Sequence, residues 1–375
     1  MKIKLHFSEY ENDLKVRPIL DEIKERLATA ISLGEDLTPT EATEDAPVKL
    51  IYEFFDQFVK EENLLNQWAA ATLKTWHTFK IHLESFDKRL EFRDFNEKGL
   101  SSFIMHLRKV CNMEEKTVQK HYNNLKWFLN WAIRKGYCQE EAVNKYRPKF
   151  KVLDKPVIFL TKEELLKLYT YEIPKNGTKV KLHDANGEEY EKTVQEAGAL
   201  AKTRDLFCFC AFTSLRYSDM AALKRTDIDG DKIYITTQKT NDRLPIDLSR
   251  NAKAILEKYK DEQFPFGLAL PVISNQKMNH YLKDLGELCG FTTPITIVFY
   301  RAGQRVEETY PKYSLIGTHA ARRTFICFAL SNGVPPQVVM KWSGHSDYKA
   351  MRPYIDIAEK TKADAMKIID NVWGM

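Results

Sequence analysis

Six side chains that can hold an anion or move a proton are spread over four segments of the C-terminal half of the chain. They are Arg216, Lys239, His319, Arg322, His345 and Tyr354. Arginine donates two parallel hydrogen bonds to the non-bridging oxygens of a phosphate and keeps its charge at neutral pH. A cluster of such cations would stabilise a phosphodiester as it passes through a pentacoordinate, more negative state. No acidic cage for metal ions accompanies these segments in the sequence, so the pattern predicts cationic, metal-independent catalysis.

Region 151–375, which carries these residues, is predicted to combine helices with a small antiparallel sheet. Thr161 and Glu164 form a capping-box pattern in front of one helix. Further helices are predicted over 204–212, from Arg216 onward and over 318–333. Alternating polarity and turn residues such as Asn186-Gly187 predict two hairpins and one strand pair. These lie at 179–194, 295–316 and 232–248.

The rest of the chain has a different character. Residues 1–47 hold 6 Lys/Arg against 11 Asp/Glu, and they contain one helical pattern and the start of an acidic, Pro/Thr-rich linker. Residues 48–150 hold 18 against 13, and every strong segment there has helical spacing. Residues 151–375 hold 33 against 28. The fold is therefore predicted to be mainly α, with an all-α domain followed by an α+β domain. Two mildly basic blocks leave polyanion binding open, although solvated helix faces explain them equally well.

Composition sets the class of protein. The chain of 375 residues is 43% hydrophobic and 29% charged, which is ordinary for a globular protein and excludes collagen-like and low-complexity chains. Its longest apolar runs, such as 206–212, are too short to span a bilayer, and no signal-peptide pattern is present at the start. Six cysteines without a CxxC motif make neither a disulfide framework nor a zinc site. A reduced, cytoplasmic protein without cofactor, metal or membrane contact is predicted.

The order of the candidate residues resembles the tyrosine recombinase (phage-type integrase) family. Its first-arginine box is similar to TSLRYSDMAALKRTDI, its HxxR box to GTHAARRTF, and its closing box to VVMKWSGHSDYKAMRPYI, with a tyrosine nine residues after the Gly-His histidine. The helical stretch TVQKHYNNLKWFLNWAIRKG is similar to the family's core DNA-binding domain. The resemblance covers residues 48–360. It is strongest to integrases of Bacteroides-type mobile elements, which carry an extra hairpin before the HxxR box.

This resemblance implies a role for each candidate. Tyr354 would attack the scissile phosphate and form a 3′-phosphotyrosyl link, releasing a 5′-hydroxyl. The residues that would hold the non-bridging oxygens are Arg216, Arg322 and His345. Lys239 would protonate the leaving 5′-oxygen, and His319 would assist proton transfer at Tyr354, because a phenol of pKa near 10 needs such help to become a nucleophile.

Several neighbours of these residues keep two interpretations open. Asp219 lies one helical turn after Arg216 and either orients that arginine or forms an ordinary helix ion pair. Pro353 directly precedes Tyr354 and predicts a helix break there, which would either give the tyrosine mobility or spoil its positioning. Arg323 is expected to contact the DNA backbone or an acidic residue, and Trp342 to be a packing residue.

Partners follow from the same resemblance. It implies double-stranded DNA and a homotetramer on two recombining sites, with a monomeric free protein and accessory DNA-bending proteins left open, and a nucleoid-associated location. DNA contacts in the helical domain are predicted at Lys74, Thr117, Lys120 and Lys126. A solvated face explains each of these four equally well.

Three functions compete, and the ends of the chain bear on them. The first is a site-specific recombinase that integrates or excises a mobile element. The second is a DNA-binding accessory protein of the same fold without catalysis, and the third is a type IB topoisomerase-like enzyme.

An apolar stripe over 357–375 predicts a C-terminal helix that docks either on its own domain or, as the resemblance implies, on the next protomer. Residues 1–47 are too short for the family's arm-binding domain, so either the sequence is a piece of a longer protein or that domain is not complete.

Overall fold

The computed structural model describes residues 50–362 apart from 140, 185 and 237–242. The predicted N-terminal region 1–47 and candidate residue Lys239 therefore lie outside the described residues, as does most of the predicted tail helix. The chain divides into two compact units. One holds the residues up to His106 together with Lys120–Pro148, and the other holds Leu107–Gln119 together with the chain from Lys149 onward.

The chain as far as Pro148 is helical in every long element, as predicted. The helices are α1 (Ile51–Asn66), α2 (Ala70–Phe86), α3 (Glu97–Lys109), α4 (Glu115–Arg134) and α5 (Ala142–Lys145). Apolar side chains recur every three or four residues and are buried, for example Trp76, Phe79 and Leu83 on α2. Aromatic rings fill the core of the first unit, where Phe55 and Phe58 are at most 1% exposed.

The second unit is a helical domain with three small sheets. Its helices are α6 (Lys162–Thr170), α7 (Ala197–Thr213), α8 (Tyr217–Ala221), α9 (Arg250–Lys258), α10 (Asn275–Leu288), α11 (Lys312–Leu315), α12 (Thr318–Ser331), α13 (Pro336–Ser343) and α14 (Arg352–Lys362). The predicted capping box at the start of α6 is present: the Thr161 hydroxyl accepts from the Glu164 amide, and the Glu164 carboxylate accepts from the Thr161 amide. Helix α7 is buried on almost every side and forms the centre of the core, so Cys208 and Cys210 on it are core thiols, as predicted.

All strands pair in antiparallel fashion. They are β1 (Lys179–His183), β2 (Glu189–Thr193), β3 (Ile228–Asp229), β4 (Lys232–Thr236), β5 (Arg243–Asp247), β6 (Pro294–Arg301) and β7 (Gln304–Pro311). Both predicted hairpins and the predicted strand pair are confirmed, with β1 on β2, β4 on β5 and β6 on β7. The strands form three separate sheets of two, three and two strands rather than one, because no strand of one hairpin is hydrogen-bonded to another hairpin among the described residues.

Two residues with left-handed backbone conformation follow the two helices whose C-terminal ends contact the candidate arginines. Ser214 (φ 62°) follows α7, and Gly344 (φ 58°) follows α13. Glycine adopts this conformation freely, whereas for serine it is uncommon and needs support from its surroundings. Each turn exposes a backbone carbonyl at a helix C-terminus, where a cation is stabilised.

Candidate active site

Arg216 lies at the N-cap of the short helix α8, with an extended backbone (φ −71°, ψ 155°). Its side chain is 16% exposed, and its Nη2 donates to the Gly344 carbonyl oxygen at 3.5 Å. Its Nη1 lies 3.7 Å from the Asp219 carboxylate, which is too long for a hydrogen bond. This Nη1 is fully buried and has no hydrogen-bond partner among the described residues. The Asp219–Arg216 ion pair fits both interpretations of Asp219, the orienting role and the ordinary helix ion pair, so the orienting role stays a prediction. One guanidinium edge of Arg216 lacks an acceptor among the described residues.

Arg322 lies on α12 and is the more buried of the two arginines, at 2% exposure. Its Nη1 donates to the Ser214 carbonyl at 2.8 Å, and its Nη2 donates to the Ser343 carbonyl. Burial, together with the charge of Arg216, lowers the pKa of Arg322 to about 10, so the group remains charged at neutral pH. Two like charges are thus held together in a site of low solvent access, and an anion placed beside them would relieve the repulsion.

His345 follows the left-handed Gly344 and is half-buried beside Arg322. Its Nδ1 lies 2.7 Å from the Ser343 hydroxyl and 3.4 Å from Arg322 Nη2. Arg216, Arg322 and His345 therefore come together at the ends of α7 and α13, as the resemblance implied. The left-handed Gly344 ends α13 between Ser343, whose carbonyl accepts from Arg322, and His345.

Tyr354 is the third residue of α14. Its ring is half-buried and packs against an apolar cluster that includes Ile326, Leu330 and Met351. The phenol lies close enough to Arg322 to oppose in part the lowering of the arginine's pKa by burial and by Arg216. The predicted helix break at Pro353 is wrong: Pro353 lies in the first turn of α14, where a missing N–H removes no intrahelical hydrogen bond.

His319 lies one turn before Arg322 on α12, and its side chain is exposed. Lys239 follows β4 in the sequence and lies outside the described residues. Trp342 is half-buried with its ring 6.1 Å from that of Phe325, as expected of a packing residue. The structure therefore brings four candidates together, Arg216, Asp219, Arg322 and His345. The positions of His319 and Lys239 relative to a bound phosphate stay predictions.

Sequence analysis missed two groups of the site. The backbone carbonyls of Ser214, Ser343 and Gly344 hold the two guanidinium groups, and backbone acceptors carry no residue-type signal. Ser343 itself is fully buried, with its hydroxyl on His345. The Ser-Gly pair directly before the candidate His345 was the available signal.

A basic cleft of about 1070 Å³ opens beside the start of α14 in the second unit. Its cationic lining residues are Lys116, Lys155, Arg323, Lys349 and Arg352. Two carboxylates, Asp154 and Asp356, also line it. Arg323 Nε is buried without a hydrogen-bond partner among the described residues, and the predicted contact of this arginine with the DNA backbone or an acidic residue stays a prediction.

The four predicted DNA contacts lie on α2 and α4. Lys74, Thr117 and Lys120 are exposed, whereas Lys126 is half-buried. The opposite side of α4 is buried at Val118, Tyr122, Leu125 and Leu129, which confirms the predicted amphipathic helix. Contact with DNA at these positions stays a prediction.

Among the described residues, no helix is long and apolar enough to cross a membrane. No group of three or more His, Cys, Asp or Glu side chains in the same part of the chain is arranged to hold a metal ion.

Comparison with known families agrees with this fold. The model of the phage integrase SAM-like domain matches residues 50–152, and the model of the phage integrase family matches residues 186–361. The chain belongs to the phage integrase family, the tyrosine recombinases. Family membership and the integrase fold support site-specific recombination of DNA as its general activity.

Two curated relatives have low sequence identity to this chain but align with more than two thirds of it. Tyrosine recombinase XerC of Treponema denticola is 21% identical over 313 residues, which cover 81% of this chain and 94% of that protein. A XerC-like tyrosine recombinase of Caldanaerobacter subterraneus subsp. tengcongensis is 24% identical, over 69% of this chain and 66% of that protein.

Solved structures share the fold. A dimer of lambda integrase residues 75–356 bound to a COC′ core site has a TM-score of 0.58 at 15% identity, covering 82% of this chain and 96% of that one. The Tn1549 transposon integrase in complex with circular intermediate DNA has a TM-score of 0.56 at 12% identity, covering 81% and 94%. A lambda integrase tetramer bound to a Holliday junction has a TM-score of 0.56 at 16% identity, covering 87% of each chain. The similarity to integrases of Bacteroides-type elements stays a prediction.

Proposed function

We propose that the protein integrates or excises a mobile element by cleaving and rejoining DNA through a 3′-phosphotyrosyl intermediate. The observation that carries the proposal is the paired, buried guanidinium groups of Arg216 and Arg322, with Arg216 Nη1 lacking a hydrogen-bond acceptor. A phosphodiester oxygen would supply that acceptor. Negative charge that develops on the phosphorus substituents would then meet fixed donors in a site of low solvent access.

In the proposed reaction the Tyr354 oxygen bonds to phosphorus, and the bond from phosphorus to the 5′-oxygen breaks. The phenolic proton passes to solvent through His319, and Lys239 gives a proton to the departing 5′-oxygen. His345 donates to a non-bridging oxygen beside the two arginines. Rejoining reverses these steps with a 5′-hydroxyl as the nucleophile, so the energy of the phosphodiester is retained in the protein–DNA link.

The basic cleft beside α14 supports DNA as the substrate. Five cations against two carboxylates give it a positive balance suited to a phosphate backbone. We assign the helical domain, residues 48–150, to DNA binding through Lys74, Thr117, Lys120 and Lys126, and region 151–375 to catalysis. The assembly would be a homotetramer on two sites, acting in the cytoplasm, with the C-terminal helix predicted over 357–375 docked on the next protomer.

The test uses nicked duplexes that tile the DNA flanking the protein's own gene. A nick close to the cleavage site lets the short 5′-hydroxyl strand diffuse away, so the covalent adduct accumulates and is seen as a slower band on a denaturing gel. Tyr354→Phe is the matched control, because it removes only the nucleophilic oxygen. An adduct that persists in Tyr354→Phe contradicts the assignment of the nucleophile, and binding without any adduct on any duplex favours the accessory-protein alternative.

A further inference from the structure

Ser343 is a buried polar residue to which the resemblance assigns no role. It is the last residue of α13, is 0% exposed, and contacts two candidate side chains of the site, Arg322 and His345. Its backbone carbonyl accepts from Arg322 Nη2, while its hydroxyl oxygen lies 2.7 Å from His345 Nδ1. One residue thus contacts an arginine through its backbone and a histidine through its side chain.

The single proton of the Ser343 hydroxyl decides what the histidine can do. That hydroxyl lies 2.6 Å from the Val339 carbonyl one turn earlier, and a carbonyl can only accept. If the proton is used there, the oxygen meets His345 with a lone pair, so Nδ1 must carry the hydrogen. The neutral ring then presents a bare Nε2, and His345 can donate to a phosphate through Nε2 only as an imidazolium.

Charged groups around His345 act on the same equilibrium. Arg322, 3.4 Å from Nδ1, opposes a second positive charge. Arg216 reaches the Gly344 carbonyl beside the histidine and adds to this opposition, while Asp219 partly offsets Arg216. The Tyr354 phenol interacts with Arg322 from α14. The Ser343 hydroxyl oxygen on Nδ1 is a direct contact that favours the imidazolium against these charges.

We propose that Ser343 is a positioning residue that fixes the Nδ1-protonated form of His345 and favours its imidazolium, so that Nε2 can donate to the scissile phosphate. This inference rests on the proposed recombinase activity for its kinetic consequences. Its structural half, the protonation state of the ring, holds or fails without any reaction.

The kinetic test compares Ser343→Thr with Ser343→Val. Both add a methyl group to the same buried space, and only threonine keeps the hydroxyl. The rate of adduct formation on nicked DNA is measured from pH 5.5 to 9. Loss of one hydrogen bond to the charged ring should move the alkaline limb of the profile to lower pH by about 0.5–1 unit in Ser343→Val and Ser343→Ala. Above that limb the rate falls by about 3–10-fold, and Ser343→Thr regains most of it.

A measurement on the unreacted full-length protein keeps the inference testable if no adduct is found. Nitrogen-15 spectra of histidine-labelled protein report which ring nitrogen carries the hydrogen, and His345→Gln assigns the signal. The expected result is a neutral His345 protonated at Nδ1, with a lower pKa in Ser343→Val than in Ser343→Thr. A neutral ring protonated at Nε2, or equal pKa values and equal rates in the threonine and valine variants, overturns the inference. Absence of any adduct together with the expected spectra would instead count against the proposed function alone. Ser331→Ala, near the far end of α12, is the control for nonspecific loss.

Discussion

His121 makes the first unit, which holds the residues up to His106 together with Lys120–Pro148, sensitive to acid. Its ring is 5% exposed, stacks on Phe79 with 5.8 Å between centroids, and lies edge-on to His82 at 4.9 Å. Its Nδ1 is buried without a hydrogen-bond partner among the described residues. Burial, with smaller effects from His82 and Lys120, lowers the pKa of His121 to about 4. The folded protein therefore holds this ring neutral.

The sign and size of the effect follow from the two pKa values. In the unfolded chain a histidine has a pKa of about 6.5, so between about pH 6.5 and pH 4 the unfolded state binds a proton that the folded state does not. The contribution of His121 is fully present above pH 6.5 and is lost as the pH falls towards 4. At pH 5 the loss amounts to about 2 kcal/mol of unfolding free energy.

Urea unfolding at pH 7 and at pH 5, followed by tryptophan fluorescence, measures this loss. Of the six tryptophans in the chain, four belong to the first unit: Trp68, Trp76, Trp127 and Trp131. His121→Phe keeps an aromatic ring on Phe79 and should remove about 2 kcal/mol of the pH dependence, whereas the exposed His77→Gln should remove none. Equal losses between pH 7 and pH 5 in the wild type and in His121→Phe would refute the reasoning.

The remaining predictions concern the proposed recombination reaction. Lys239→Ala should slow cleavage markedly on ordinary DNA but not on a substrate whose leaving group is a 5′-thiolate, which departs without a proton; an equal defect on both would reassign Lys239 to DNA binding. Arg352→Ala should reduce the slope of log affinity against log salt by about 1, as one lost phosphate contact requires, while the exposed Lys202→Ala should leave it unchanged. Arg216→Ala should lower the cleavage rate by about 10²–10³-fold at saturating DNA, and a rate within a factor of three of the wild type would exclude the arginine pair as the phosphate site. Deletion of 359–375 should leave a folded, DNA-binding protein that fails to assemble synaptic complexes; unfolding, or recombination at the intact rate, would contradict docking of the tail on a neighbour.

Local patterns predicted most of the fold because their physical causes are local. The capping box at Thr161 needs only residues three apart, and both ends of that motif are present. The hairpin at 179–193 needs a turn with a positive φ, which Gly187 supplies at 86°. Three separate sheets could not be foreseen, because strand pairing between distant segments has no signature in a single sequence.

The candidate site was predictable in its side chains and not in its backbone. An ordered set of boxes pointed to Arg216, Arg322, His345 and Tyr354, and the structure brings the first three together. The partners of the two arginines are carbonyl oxygens at the ends of α7 and α13, which any residue type can supply. Pro353 shows the converse error: proline breaks a helix interior, but the position of the helix start decides whether that rule applies.

The electrostatics of the arginine pair explain why such a site is retained despite its cost. Burial of Arg322 beside Arg216 disfavours the charged form, as its lowered pKa shows, and backbone carbonyls offset the penalty without neutralising the charge. A well-placed carboxylate on every donor would stabilise the folded protein more, but it would also occupy the positions that a phosphate needs. Asp219 is held at 3.7 Å, close enough to orient Arg216 and too far to satisfy its Nη1. In the proposed reaction the phosphate of the substrate supplies the missing acceptor, and this interaction strengthens as negative charge accumulates on the phosphate.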